Sequence, residues 1–109
     1  MIHVTAIEDG RGRLSSLIAK GHAEFAVQSE DVVCAAASAI LQAAYAGLQD
    51  VAKVVFEGRR LAGDLEIRIP EDVREREDVA AILKTAVNAL EAIARQYPEY
   101  LRVTRGVES

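Results

Sequence analysis

The sequence has little cysteine and no long apolar run. Cys34 is the only cysteine among 109 residues, which excludes an internal disulfide framework and a zinc cluster built on cysteines. Unbroken apolar stretches are short and alanine-rich, well below the roughly 20 residues of a membrane span. Residues 1–5 lack the basic start and apolar core of a secretory signal. We therefore expect a cytoplasmic protein without membrane contact.

The sequence also has fewer basic residues than acidic ones. Thirteen basic residues stand against 17 acidic ones, for a net charge of −4. This balance disfavours nucleic-acid binding through general electrostatics, so no direct nucleic-acid contact is expected. Half of the residues are apolar and 28% are charged, which is typical of a folded chain. The length predicts one domain over residues 1–109 with one hydrophobic core.

The spacing of apolar residues predicts the element order β-β-α-β-β-α-β. β-branched or alternating runs predict strands at 2–7, 14–19, 53–57, 65–69 and 100–104. Helical spacing predicts helices at 31–50 and 79–97. Gly58 is expected to begin a turn, and residues 106–109 are expected to fray. The order predicts an α+β two-layer domain, in which a mainly antiparallel sheet carries both helices on one face.

The chemistry is concentrated where the first long helix is predicted to begin. Cys34 is expected in its first turn, and His22 precedes it by twelve residues in a loop. Asp31 is the expected N-cap, because its carboxylate can accept a backbone N–H. Free N–H groups at a helix start stabilise a thiolate and can hold the oxyanion of a tetrahedral intermediate. Cys34 and His22 are therefore a candidate nucleophile and base.

Each of these residues also has a purely structural interpretation. A lone cysteine in an alanine-rich helix is commonly a small buried residue, and a histidine after a glycine is commonly a loop or capping residue. Asp31 either caps the helix or orients His22. Ser38, one turn after Cys34, either supports the site or faces a tight packing contact. His3 has no further ligand at useful spacing, so no metal or cofactor is expected.

Two motifs resemble those of the ribosomal-processing cysteine protease family, Prp. Residues 21–23 read Gly-His-Ala, and residues 31–38 read Asp-Val-Val-Cys-Ala-Ala-Ala-Ser. The resemblance extends over essentially the whole chain, to the Tyr-Pro-Glu-Tyr-Leu ending at residues 97–101. It implies that the family's general base falls on His22 and its nucleophile on Cys34. The motif aspartate and serine, with supporting or orienting roles, are Asp31 and Ser38.

The resemblance also implies a function. It predicts a cysteine endopeptidase that removes the N-terminal extension of large-subunit ribosomal protein twenty-seven, just after a pair of aromatic residues. Members of the family are small, cytoplasmic and homodimeric as a class. One alternative is a non-catalytic ribosome-associated binding module with the same fold, and another is a structural dimer with a buried cysteine. The alkylation rate of Cys34 distinguishes them, because a buried thiol is inert.

The resemblance further implies that the segment between the two catalytic residues moves when substrate binds. The residues that we assign to this substrate loop are Gly21, Ala23, Phe25 and Ser29. Ser29 stands where the family has glycine, and we expect it to stiffen the hinge because serine avoids positive φ. Phe25 either packs into the core and fixes the loop or helps the loop to cover the substrate.

Overall fold

The structure is a computed structural model that describes residues 1–21, 28–61 and 63–108, without the side chains of residues 28–31. The described strands are β1 (Ile2–Glu8), β2 (Leu14–Lys20), β3 (Glu57–Leu61), β4 (Asp64–Arg68) and β5 (Leu101–Val107). The described helices are α1 (Gln28–Asp50) and α2 (Glu77–Gln96), with a short 3₁₀ helix at Glu71–Val73. The predicted order of strands and helices is confirmed.

The strands form one sheet in the order β3-β4-β2-β1-β5. The pairs β1–β2, β2–β4 and β3–β4 are antiparallel, while β5 runs parallel to β1. The register sets Val4 opposite Ala19 on one side and Val103 on the other, and Ala19 opposite Leu65. The prediction of a mainly antiparallel sheet is therefore confirmed.

One face of the sheet carries the core and both helices. β1 buries Ile2, Val4 and Ala6 at alternate positions and leaves His3 exposed between them. These side chains form one cluster with the inner faces of both helices, whose fully buried members include Leu48 and Leu90. Burying apolar surface between the layers is the main force that holds such a fold together.

The helix α1 is unusually apolar. Its residues Val32–Asp50 are long and apolar enough to cross a membrane by length and composition alone, although the core helix of a globular fold passes the same test. Here Val33, Ala37, Leu41 and Leu48 pack into the hydrophobic cluster. Packing against the sheet thus explains part of this composition, because only 33% of the stretch is buried.

The connection after α1 differs from the prediction. The third strand was predicted at 53–57, but β3 begins only at Glu57, and Gly58 lies inside it rather than in a turn. The preceding segment instead turns off the helix end, where Ala52 and Val54 donate backbone hydrogen bonds to the carbonyls of residues 47 and 48. Lys53, three residues after the end of the helix, has a positive φ of 55°, which is incompatible with a strand.

The C-terminal strand is longer than predicted. β5 continues to Val107 and includes Gly106, which was expected to fray. It pairs in parallel with β1 along its whole length, and the N–H of Glu108 donates to the carbonyl of Glu8 at 2.8 Å. The length of β5 is therefore set by its pairing with β1, because each paired residue satisfies backbone N–H and C=O groups that would otherwise need water.

A buried carboxylate fixes the turn between β1 and β2. One oxygen of Asp9 accepts the backbone N–H groups of Arg11 and Arg13 at 2.9 and 3.1 Å. The other oxygen accepts hydrogen bonds from Nε of Arg13 and Nη1 of Arg74, also at 2.9 and 3.1 Å. Burial alone would raise the pKa of Asp9, but these four hydrogen bonds outweigh it and lower the pKa from 3.8 to about 2.

This carboxylate makes stability depend on pH in a definite direction. Because the folded-state pKa lies below the usual 3.8, the charged Asp9 stabilises the fold above about pH 4, and its contribution is lost as the pH falls towards 2. We expect the gap in urea midpoint between wild type and Asp9→Asn to shrink from pH 5 to pH 2. The exposed Asp72 supplies the control variant, Asp72→Asn. A gap that stays constant over this range would contradict the assignment.

Candidate active site

Cys34 lies further into α1 than predicted. The helix begins at Gln28, so Cys34 is in the second turn rather than the first. The free N–H groups of the helix are those of residues 28–31, and the field of a helix end falls off within about one turn. The expectation that Cys34 lies in the first turn, among these groups, is therefore wrong. The helix starts early because glutamine and glutamate at positions 28 and 30 are good helix formers.

Cys34 is nevertheless available for chemistry. It packs against the hydrophobic core on one side and is only partly buried. The sulfur is held on a long helix whose next turns anchor Ala37 and Leu41 in the core. This position is intermediate between an inert buried thiol and a freely exposed one, so the structural-dimer alternative with a fully buried cysteine loses its premise.

Several predicted site residues cannot be placed beside Cys34. Three of them, His22, Ala23 and Phe25, lie outside the described residues. For Ser29 and Asp31 the structure describes the backbone but not the side chain. The backbone start at Gln28 does correct two expectations, since it makes Ser29 a helical residue rather than a loop hinge and removes Asp31 from the N-cap. Whether Asp31 orients His22, and how Phe25 packs, stay predictions.

Gly21 fixes the backbone that leads to His22. It follows β2 directly and has a φ of 99°, a backbone conformation that residues other than glycine rarely adopt. A Cβ at this position would lie against the carbonyl oxygen of Met1. Its N–H donates to the carbonyl of Gly63 at 3.0 Å, which joins β2 to the β3–β4 turn. Gly21 is thus anchored at the end of β2, and its part in a substrate loop stays a prediction.

Gly21→Ala should therefore be costly, because it combines an unfavourable φ with a collision against backbone. We expect a loss of about 3 kcal/mol in the free energy of unfolding. Gly12 has a φ of 77° but open space around it, so Gly12→Ala should lose only about 1 kcal/mol. Gly10→Ala, with neither feature, should change stability by less than about 0.5 kcal/mol. Urea unfolding of the three variants measures this order, and equal losses at Gly21 and Gly12 would contradict the collision.

A small groove opens one turn beyond Cys34. Ser38 lines it, so this residue borders open space rather than a tight packing contact. The groove, called here the Ser38 groove, holds about 70 Å³ between α1 and the β3–β4 turn. Its lining residues are Ile2, Ala19, Gly21, Ser38, Leu41, Gln42, Leu61, Gly63, Asp64 and Leu65. The sequence did not predict the part formed by Leu61, Gly63, Asp64 and Leu65. Pairing of β2 with β4, and of β4 with β3, brings these residues there from far along the chain.

A fixed negative charge stands at the rim of the Ser38 groove. Arg59 donates to both oxygens of Asp64, from Nε at 3.0 Å and Nη2 at 3.1 Å. This paired hydrogen bond is the main cause that lowers the pKa of Asp64, and burial opposes it. Asp64 therefore stays ionised at neutral pH, while its charge is largely balanced by Arg59.

The described residues offer no evident metal centre. Within residues 1–21, 28–61 and 63–108, no three His, Cys, Asp or Glu side chains come together as metal ligands would. His3 instead shares a hydrogen bond with the hydroxyl of Thr104 at 3.0 Å. The chemistry of this region is thus best considered from Cys34 and the groove beside it.

Comparison with known proteins gives a consistent result. Residues 1–102 match the family model for cysteine protease Prp. The ribosomal processing cysteine protease Prp of Mycoplasma genitalium is 32% identical over 85 residues, which are 78% of this chain and 82% of that protein.

Solved structures agree at the level of the fold. A crystal structure of the essential ribosomal processing protease Prp from S. aureus, with a covalently linked product peptide, is 25% identical and has a TM-score of 0.84. The alignment covers 96% of this chain and 99% of that one. SMU.848 from Streptococcus mutans, at 23% identity and a TM-score of 0.84, covers 99% of this chain and 96% of its own.

Proposed function

The chain belongs to the Prp family of cysteine proteases, and on this premise we propose that it is a cysteine endopeptidase in which Cys34 is the nucleophile and His22 the general base. The observation that carries the proposal is the match over residues 1–102, together with a single cysteine that stays partly exposed beside a groove. The alternative of a non-catalytic ribosome-associated module keeps the fold but gives Cys34 no task.

The proposed reaction uses only side chains and water. His22 takes the proton of the Cys34 thiol, and the thiolate attacks the scissile carbonyl carbon. The C–N bond breaks as His22 gives the proton to the departing amine, which leaves an acyl group on the sulfur as a thioester. Water, deprotonated by His22, then attacks the thioester and releases the acid, and the thiol is restored. No step needs a metal or a cofactor.

The proposed substrate is the N-terminal segment of large-subunit ribosomal protein twenty-seven, cut just after a pair of aromatic residues. Support comes from the relatives, which are named for ribosomal processing, and from a further S. aureus Prp structure that holds a substrate peptide. With this substrate, we propose a cytoplasmic location for the activity. Mass spectrometry of the peptide products tests this substrate.

We also propose that the chain works as a homodimer through an apolar groove between α1 and α2. This interhelical groove holds about 450 Å³ and is lined by Ile40, Ala43, Ala44, Gly47, Val51, Ala81, Ile82, Thr85, Ala86 and Ala89. None of these side chains is charged, and Val51 at its end is 76% exposed. Apolar surface of this kind is commonly covered by a second protein, and self-association through one shared patch is the commonest way.

Ala43→Glu should therefore convert the dimer into a monomer, because it places a charge inside the apolar interface. The control is Ala92→Glu, which makes the same change at an exposed position of α2 outside the groove. Light scattering at micromolar concentration should give twice the mass of one chain for wild type and Ala92→Glu, and the mass of one chain for Ala43→Glu. A monomeric wild type would overturn the dimer, and a dimeric Ala43→Glu would overturn its location.

A further inference from the structure

We propose that the Ser38 groove is a subsite for one apolar substrate side chain, and that Leu61 determines which sizes it accepts. The inference rests on the proposed peptidase function and adds a specificity-determining residue that lies 27 positions beyond the cysteine in sequence. Leu61 is the last residue of β3, on the far wall of the groove from α1.

The distance from Cys34 suits a peptide. Cys34, Ser38 and Gln42 follow one another at four-residue intervals on α1. With a rise of about 1.5 Å per residue, the stretch from Ser38 to Gln42 lies about 6 to 12 Å from Cys34 along the helix axis. An extended peptide advances about 3.3 Å per residue. A substrate whose scissile carbonyl meets Cys34 therefore brings a side chain about two to four residues away over the groove.

The lining has the character of a side-chain pocket. Its apolar floor comes from Ile2, Leu41 and Leu65, which are all buried. Its rim carries the hydroxyl of Ser38 and the amide of Gln42, and both residues are exposed on α1. An apolar floor below a few hydrogen-bonding groups is the usual arrangement where a peptide inserts one side chain and keeps its backbone solvated or bonded at the edge.

The volume limits the occupant to one side chain. The groove holds about 70 Å³, far less than the interhelical groove with its 450 Å³. Asp64 at the rim is already paired with Arg59 through two hydrogen bonds, so it offers little net charge to select a basic residue. Size and apolar contact are therefore the properties by which this groove can discriminate.

Leu61 is the wall residue most suited to set that size. It is 64% exposed although it is a large apolar side chain, so the core does not account for its identity. Its backbone is fixed, because it pairs with Asp64 across the β3–β4 turn. Gly21 and Gly63 hold the turn against β2 through their 3.0 Å hydrogen bond. A side-chain change at residue 61 should therefore alter the width of the groove and leave its frame in place.

The test is a change of preference rather than a loss of activity. A set of peptides carries alanine, leucine or phenylalanine at each of the four positions on either side of the scissile bond, and kcat/KM is measured for each. At one of these positions, Leu61→Ala should raise the phenylalanine-to-alanine ratio about tenfold, and Leu61→Trp should lower it about tenfold. The control is Val107→Ala, an exposed apolar residue on β5 at the opposite edge of the sheet.

Two further measurements separate this subsite from the proposed function. Alkylation of Cys34 by iodoacetamide, which is too small to need the groove, should be equal in wild type and both Leu61 variants. If wild type cleaves the peptides and the Leu61 variants keep its ranking, the subsite is wrong and the peptidase stands. If wild type cleaves none, the peptidase is wrong, and peptide binding to Cys34→Ala and to Cys34→Ala/Leu61→Trp decides the subsite: a tenfold weaker affinity in the second supports it, and equal affinities overturn it.

Discussion

Cys34→Ala is expected to abolish peptide cleavage and to leave the fold intact. Alanine cannot form the thioester, and removal of a catalytic nucleophile commonly lowers turnover by about 10⁴-fold or more. The helix should persist because alanine is the best helix former. Cys34 is only partly buried, so the truncated side chain should cost about 1 kcal/mol or less of unfolding free energy.

The measurement combines a peptide assay with thermal unfolding followed by circular dichroism. Ala35→Ser, at an exposed neighbouring position of α1, is the matched control and should keep full activity. Turnover that survives in Cys34→Ala would remove this residue from the mechanism. Loss of both the activity and the folded signal would mean that the sulfur is needed for packing. We do not expect this result, because Cys34 is only partly buried.

His22→Ala should have the second largest effect. If His22 is the general base, kcat/KM should fall by about 10²- to 10⁴-fold. Alkylation of Cys34 by iodoacetamide near neutral pH should slow as well, because the thiolate loses its proton acceptor. Since α1 begins at Gln28 and its free N–H groups precede Cys34, the helix end alone is a poor substitute for the histidine.

The chain supplies its own control for this experiment. It contains two histidines, and His3 lies on the exposed face of β1, where it shares a hydrogen bond with Thr104. His3→Ala should therefore keep both the activity and the alkylation rate of wild type. An alkylation rate that is unchanged in His22→Ala would show that His22 points away from Cys34.

The fold could be predicted from the sequence where burial imposes a period. Alternation in β4, with Leu65 and Ile67 buried and Glu66 between them, and the apolar stripe of α2 gave the correct elements. The errors fall where tertiary contacts decide. The segment after α1 turns off the helix at Lys53, and β5 extends to Val107 because β1 is there to pair with it. The local sequence propensity of these segments carries no information about either contact.

The candidate site divides in the same way. The motif around Cys34 is local, so the sequence identified it. The helix start was misplaced because Asp31 is a favourable N-cap by residue type, whereas the helix begins three residues earlier, at Gln28. Gly21 was predicted only as part of the substrate loop, and its close approach to the backbone of Met1 is visible only in three dimensions. The sequence did not single out Leu61, because this residue reaches the groove only through the pairing of β3 with β4 and of β4 with β2.

The most direct test of the account is cleavage of the proposed substrate. The protein is incubated with a synthetic N-terminal segment of large-subunit ribosomal protein twenty-seven. The masses of the peptide and of the protein are then measured by mass spectrometry. We expect one cut after a pair of aromatic residues and a transient protein mass that is increased by the acyl group on Cys34. Neither should be seen with Cys34→Ala. An intact peptide after prolonged incubation with a stoichiometric amount of protein would contradict it and favour a non-catalytic ribosome-associated module.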